Sequence, residues 1–313
     1  MPLELSFSDY FQGTIQYDKN ENETISGYGN YYIHDATYSF HFQNQAIKIY
    51  SSSKVLIESC AFYNNSSTYN GGSINILQSD CILIHICCSF SAAGSETGGA
   101  YYIDNNGNSD QKIYAFESSV SQCSASTAAF YNIGSKIEIS NMNTSYHNIA
   151  NTGAFSIEYA EIRKSGIMNL TTVSNVTSSL WAAMSCYSLF KFTKCNYLNN
   201  ECSGNTNSVI YSSQSGHYSN CSFIRNKANS MFREYPININ NCYFKDNEVI
   251  KASYRGNGRI VIGEPLDSII SHYSTYHCVY VNNSDENQQI SNTIPNTEGI
   301  LPYKNHKFKY IRR

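Results

Sequence analysis

The chain has 313 residues, enough for two compact domains or one elongated repeat array, and either could bury a sizeable core. Only 14% of residues are charged, while Tyr (27) and Phe (15) are abundant, so polarity rests on neutral hydrogen-bonding side chains. A net charge of −3 and the lack of an apolar run of about eighteen residues argue against nucleic acid as a partner and against membrane insertion.

Met1 to Phe11 lacks the basic and apolar regions of a signal peptide. Residues 1–45 contain strand-like aromatic pieces (Tyr28–Ile33, Tyr38–Phe42) and read as an N-terminal cap with a first coil, which a repeat array needs to cover its first core face. From about 46 to 281 one phrase recurs. Its first copy has alternating Val55 and Ile57, then a step of three to Cys60-x-Phe62-x-x-Asn65, then Gly71-Gly72 and alternating Ile74 and Ile76. Further copies place Cys195, Tyr197 and Asn200 after Phe190 and Phe192; Cys221, Phe223 and Asn226 after Tyr218; and Cys242, Phe244 and Asn247 after Ile237 and Ile239. Chance would supply about 0.2 occurrences of C-x-[FY]-x-x-N in this composition, so the four are a repeat. Weaker copies are read at Leu83, His85, Cys88, Phe90; at Ile137, Ile139, Met142; and at Tyr114, Phe116, Ser119. The closing element recurs as Gly98-Gly99-Ala100-Tyr101-x-Ile103, as Ala129-Phe130-Tyr131-x-Ile133 and as Gly153-Ala154-Phe155-x-Ile157, while the register of 160–185 stays open.

Alternation of β-branched and aromatic residues is strand chemistry, and coils of about 20–30 residues with three short strands describe an all-β fold, a parallel β-helix solenoid of about nine or ten coils. The step of three requires an extra residue and a bend, and Asn141, Asn220 and Asn241 stand at that bend because Asn tolerates the left-handed conformation. The interior then holds stacked rows, with Cys60, Cys88, Cys195, Cys221 and Cys242 acting as small buried hydrophobes. Residues 282–313 are a polar C-terminal tail whose end carries enough apolar residues for a cap strand.

No cofactor or metal is expected. Cys81-x-x-x-His85-x-Cys87-Cys88 has ligand-like residues, but a strand spreads Cys81 and His85 about 13 Å apart, too far for one zinc. His272, His277 and Cys278 have loose ligand spacing that an aromatic strand explains as well. Gly216-His217-Tyr218 and Arg259-Ile260-Val261 resemble polygalacturonase signatures but depart from them at the last residue. No acidic pair recurs on adjacent coils, so no catalytic residue is assigned.

F-x-x-N followed about nine residues later by G-G-[AS]-[ILVY] resembles the repeat of polymorphic outer membrane (Pmp) proteins and of related protist surface-protein families. The matching residues are Phe62–Asn65 with Gly71–Ile74, Gly98–Tyr101, Phe223–Asn226 and Phe244–Asn247. The resemblance implies a right-handed parallel β-helix of the pectin-lyase-like type, displayed at a cell surface for adhesion or antigenic variation, with protein or glycan as partner and no catalytic residues to carry over. The chain is therefore expected to be a non-enzymatic interaction module. A β-helical polysaccharide lyase or glycoside hydrolase is the alternative, and a degenerate fragment without activity a further one. Outward-facing Tyr is where stacking on sugar rings or packing on a partner is to be sought.

Overall fold

Each turn of the chain is built from three short strands. Lys54–Glu58, Ala61–Tyr63 and Ile74–Leu77 form one turn, and Asp80–Ile84, Cys87–Ser89 and Tyr101–Asp104 the next. A computed structural model describes residues 6–251 apart from 106–110, 159–164, 187–188, 214–215 and 235–237. The expected sites at Ile237, Arg259, His272, His277 and Cys278, and the tail from 282, lie outside the described residues. Every inter-strand pairing is parallel between successive turns, as where Val55 aligns with Tyr31 on one side and Cys81 on the other. The fold is an all-β, right-handed parallel β-solenoid. Its three sheets hold ten, nine and thirteen strands, so the number of turns depends slightly on the sheet counted. The third sheet is the largest partly because its strand is split in some turns, as at Asn148–Ile149 and Thr152–Glu158.

Like residues stack inside at the spacing of neighbouring strands. Tyr38 lies on Phe62, Tyr197 on Phe223 and Phe223 on Phe244, with ring centroids 5.1, 5.0 and 4.9 Å apart. Cys60, Cys195, Cys221 and Cys242 occupy the neighbouring corner row, all buried. Burial pushes the Cys60 thiol up to about 12, so it behaves as a packing group and not as a nucleophile.

Both ends of each strand in the nine-stranded sheet turn through a left-handed residue. The leading row runs Asp35, Ser59, His85, Glu117, Asn141, Leu170, Lys194, Asn220 and Asn241, with φ between 45° and 54°. The trailing row runs Phe40, Asn64, Phe90, Gln122, Tyr146, Asn175, Asn199, Arg225 and Asp246, with φ between 51° and 62°. The bend expected at Asn141, Asn220 and Asn241 is present, and it recurs where the residue is Leu170 or Lys194. Neighbouring turns impose it there, at roughly 1 kcal/mol per residue.

Asn65, Asn200 and Asn226 point inward from the trailing corner and are fully buried. Each accepts a backbone N–H from the adjacent turn: His41 to Asn65 at 3.0 Å, Val176 to Asn200 and Asn200 to Asn226 at 3.1 Å. Asn247 continues the row by accepting Asn226 N–H at 2.9 Å. Each Asn amide also donates to a core-strand carbonyl, as Asn226 does to Tyr197 O at 2.8 Å. This ladder satisfies backbone groups that a bend removes from the sheet. Asn226→Ala strips the Asn200 N–H and Nδ2 of their acceptor, and it should cost about 2–4 kcal/mol. Urea unfolding checks this against exposed Asn238→Ala, which should stay within about 0.5 kcal/mol of wild type; equal effects would mean that the ladder is not structural.

Three register readings are corrected. In the turn after Cys60, Ile86 takes the Cys60 position and Cys88 the Phe62 position, while His85 and Phe90 are left-handed corner residues. In the next turn Ile113, Ala115, Ser118 and Val120 face the core; Tyr114 and Phe116 face outward. In the closing strand Phe130 aligns with Tyr101 and Asn132 with Ile103, so Tyr131 and Ile133 face outward. The coil left open at 160–185 has strands at Ser165–Asn169, Thr172–Ser174 and Trp181–Cys186.

The first two slips have one cause. A short helix, Phe7–Tyr10, lies on the outer side of the ten-stranded sheet. Phe7 and Phe11 there cover Leu56, Ile82 and Ile84, with Tyr32, Tyr114 and Phe116 packed around them. Both faces of these strands are thus buried, and alternation no longer marks the inner one. Residues 17–19 and 25–27 add a partial first turn that ends the ten- and thirteen-stranded sheets.

Candidate functional site

The repeat residues proposed from sequence are core and corner residues. Cys60, Phe62, Asn65, Gly71, Gly72, Cys195, Tyr197, Asn200, Cys221, Phe223, Asn226 and Cys242 are buried; Phe244 and Asn247 are partly so. Ligand-like Cys81 and Cys88 face the core, whereas His85 turns outward at its corner to meet Glu117 at 2.8 Å. Tyr218 is buried in the aromatic core, so the Gly216–Tyr218 segment presents only His217 outward.

Outward positions of the thirteen-stranded sheet carry a different set. One register line runs along the solenoid through Lys48, Asn75, Tyr102, Tyr131, Ser156, Met184, Tyr211 and Arg233. At about 4.8 Å per turn its eight members span about 34 Å. Tyr102 and Tyr131 stack 5.3 Å apart at 23°. Farther along, Trp181 and Tyr211 stack 4.2 Å apart at 25°, and Lys48 sits 5.6 Å over the Tyr69 ring at the other end.

Two carboxylates flank the tyrosine pair. Tyr102 donates its hydroxyl to Asp104 Oδ2 at 3.4 Å, and Tyr131 donates to Glu158 Oε1. Burial, reinforced by these carboxylates, holds both phenols above their ordinary range, so they remain protonated donors. The remaining carboxylate lone pairs can accept from hydroxyl-rich molecules, and the edges of the stacked rings form an apolar strip on the outer side of the sheet.

The chain matches no protein-family model, no curated protein and no solved structure.

Asp104 and Glu158 stand two turns apart, so a search for acids on adjacent coils passes over them. A usable signal existed in the closing element: the residue between its two inward positions must face out. That residue is Tyr102 in Tyr101-x-Ile103 and Tyr131 in Phe130-x-Asn132.

Proposed function

We propose that this is a non-enzymatic β-helical interaction module that binds glycan along the outer side of its thirteen-stranded sheet. The observation that carries the reading is the Tyr102–Tyr131 stack set between Asp104 and Glu158. The apolar C–H face of a sugar can pack on the exposed ring edges, and acidic acceptors beside them take its hydroxyls. Part-exposed Tyr102, Tyr131 and Tyr211 recur along the line among buried Asn75, Ser156 and Met184, which suits contacts spaced along a chain of sugars better than a single small molecule. The Pmp-like repeat supports a pectin-lyase-like module of the surface-displayed, adhesive kind.

Binding to immobilised and soluble oligosaccharides tests the reading. Tyr131→Ala should weaken binding at least about tenfold, a loss of about 1.4 kcal/mol. Tyr131→Phe keeps the ring and should lose much less. Equal losses for the two would move the contact from the ring to the hydroxyl. Turnover of a uronate polymer that vanishes in Asp104→Asn or Glu158→Gln would replace the binding reading with the lyase or hydrolase one.

A further inference from the structure

Three strand edges close the N-terminal end of the solenoid, one per sheet, and the chain treats them differently. At Thr37–Ser39 the edge is blocked: Asn22 Oδ1 accepts the Ser39 N–H at 3.2 Å and Asn22 Nδ2 donates to Ser39 O at 3.5 Å, as a neighbouring strand would. Tyr17–Lys19 carries Asp18 and Lys19, charges of the kind that discourage edge pairing. Ile25–Gly27, which ends the thirteen-stranded sheet, has neither protection. Ile25 N–H donates to Ala46 O at 2.9 Å, and Gly27 O accepts the Tyr50 N–H at 3.0 Å. A residue between such bonds turns its backbone groups the other way, so the N–H and C=O of Ser26 point off the end of the sheet. Ser26 is exposed, and among the described residues nothing pairs with its backbone.

Apolar surface collects at the same end. Of the twelve large hydrophobic side chains exposed among the described residues, six belong to the first turns: Ile15, Tyr17, Tyr28, Phe40, Phe42 and Tyr50. Tyr28 is 68% exposed. With Tyr17, Thr24, Ile25 and Tyr31 it lines a cleft of about 360 Å³, which the Lys19–Glu23 ion pair borders. A concentration of exposed apolar groups beside a bare strand edge marks a contact face.

We propose that this end is a two-fold interface between two copies of the chain, centred on Ser26. The occupant must bring a bare strand edge with an exposed aromatic side chain beside it, and this edge offers both to its own copy. Antiparallel pairing about Ser26 lets the two serines exchange both N–H···O=C bonds. It also sets Thr24 of one copy opposite the partner's Tyr28, and because Thr24 lines the cleft, each Tyr28 is delivered to the cleft of the other copy. Ser26 aligns with Lys48 and so heads the register line that runs through Tyr102 and Tyr131 to Arg233. A two-fold axis perpendicular to the sheet keeps both outer sides on the same side of the pair, so the two tyrosine-bearing lines run into one another. The dimer thus doubles the length of the glycan strip, although the pairing itself does not rest on glycan binding.

Sedimentation velocity of the full chain between about 1 and 300 µM should show a reversible monomer–dimer equilibrium. Ser26→Pro removes the outward N–H at an edge position where proline is tolerated, so it should weaken dimerisation at least about tenfold and leave Tm unchanged. Ser26→Lys sets two ammonium groups directly opposite each other and should act in the same direction, with partial recovery in high salt. Ser26→Cys tests the register. Residues paired in this way have Cα atoms about 5.5 Å apart, within disulfide reach, so oxidised glutathione should link two copies through position 26. Asn238→Cys, exposed on a different sheet, should not be linked. A wild-type chain that stays monomeric throughout, a dimer that neither Ser26→Pro nor Ser26→Lys weakens, or cross-linking no better at position 26 than at 238 would each overturn the proposal. If Ser26→Pro does not fold, the lysine and cysteine variants still decide.

Discussion

Gly72→Ala should destabilise the solenoid by about 3–5 kcal/mol, although Gly72 sits in an ordinary backbone conformation. The reason is the adjacent turn. A Cβ on Gly72 would land on the carbonyl oxygen of Gly99 and 2.7 Å from that of Ala92. These are backbone atoms and cannot rotate aside. The turns are also held at ladder spacing here, since Gly72 N–H donates to Gly98 O at 3.0 Å and Gly71 N–H to Thr97 O at 2.9 Å. Relief would require three sheets to separate locally. Gly94→Ala is the informative control: it has φ +48° and nothing nearer than 3.5 Å, so it should cost only about 1 kcal/mol. Urea midpoints, with amide exchange of Ile74–Leu77 and Tyr101–Asp104, measure both. If the two variants lose the same stability, the neighbouring turn yields to the added methyl and the close approach does not require glycine.

The fold was legible because four copies of one phrase carry it, and each position of that phrase has one physical role. The step of three gave the corner; C-x-[FY] gave two interior rows. What stayed hidden was the second left-handed corner, occupied by Phe40, Phe90, Tyr146 and Arg225 as readily as by Asn64 or Asn175. Intrinsic preference marks only the Asn positions, and the other side chains accept the strain because their rings or charges reach solvent there. Asn132 was hidden for another reason. It is a fully buried amide in a row of isoleucines, and no pattern based on hydrophobicity places it inside. The candidate site was the least legible, because Tyr102, Asp104, Tyr131 and Glu158 are brought together by stacking turns. The closing element marks Tyr102 and Tyr131 as outward, but sequence spacing does not show that two turns bring Asp104 and Glu158 to either side of them.

Acid should weaken the solenoid most through His147, whose imidazole is fully buried, and less through part-buried His41, which burial shifts in the same direction. His147 stands in the same interior row as Asn65, Asn200 and Asn226, three residues after inward Thr144. Cys123 N–H donates to its Nδ1 at 3.2 Å, the contact that Asn Oδ1 makes in other turns. Nδ1 therefore carries no proton, and Nε2–H donates to Thr144 Oγ1 at 2.9 Å. Full burial pushes the imidazole from its ordinary 6.5 down to about 4. Because the folded value lies below the unfolded one, the unfolded chain takes up the proton first as pH falls. Stability is therefore intact above about pH 6.5 and is lost progressively down to about pH 4, by about 3 kcal/mol. His147→Asn restores the residue other turns use, with Oδ1 to accept the Cys123 N–H and an amide to donate. That variant should match wild type at pH 7 and be more stable by about 3 kcal/mol at pH 4. Parallel stability curves for the two proteins between pH 7 and 4 would show that another group drives acid unfolding. A variant already weaker at pH 7 would show instead that the imidazole fills volume an amide cannot.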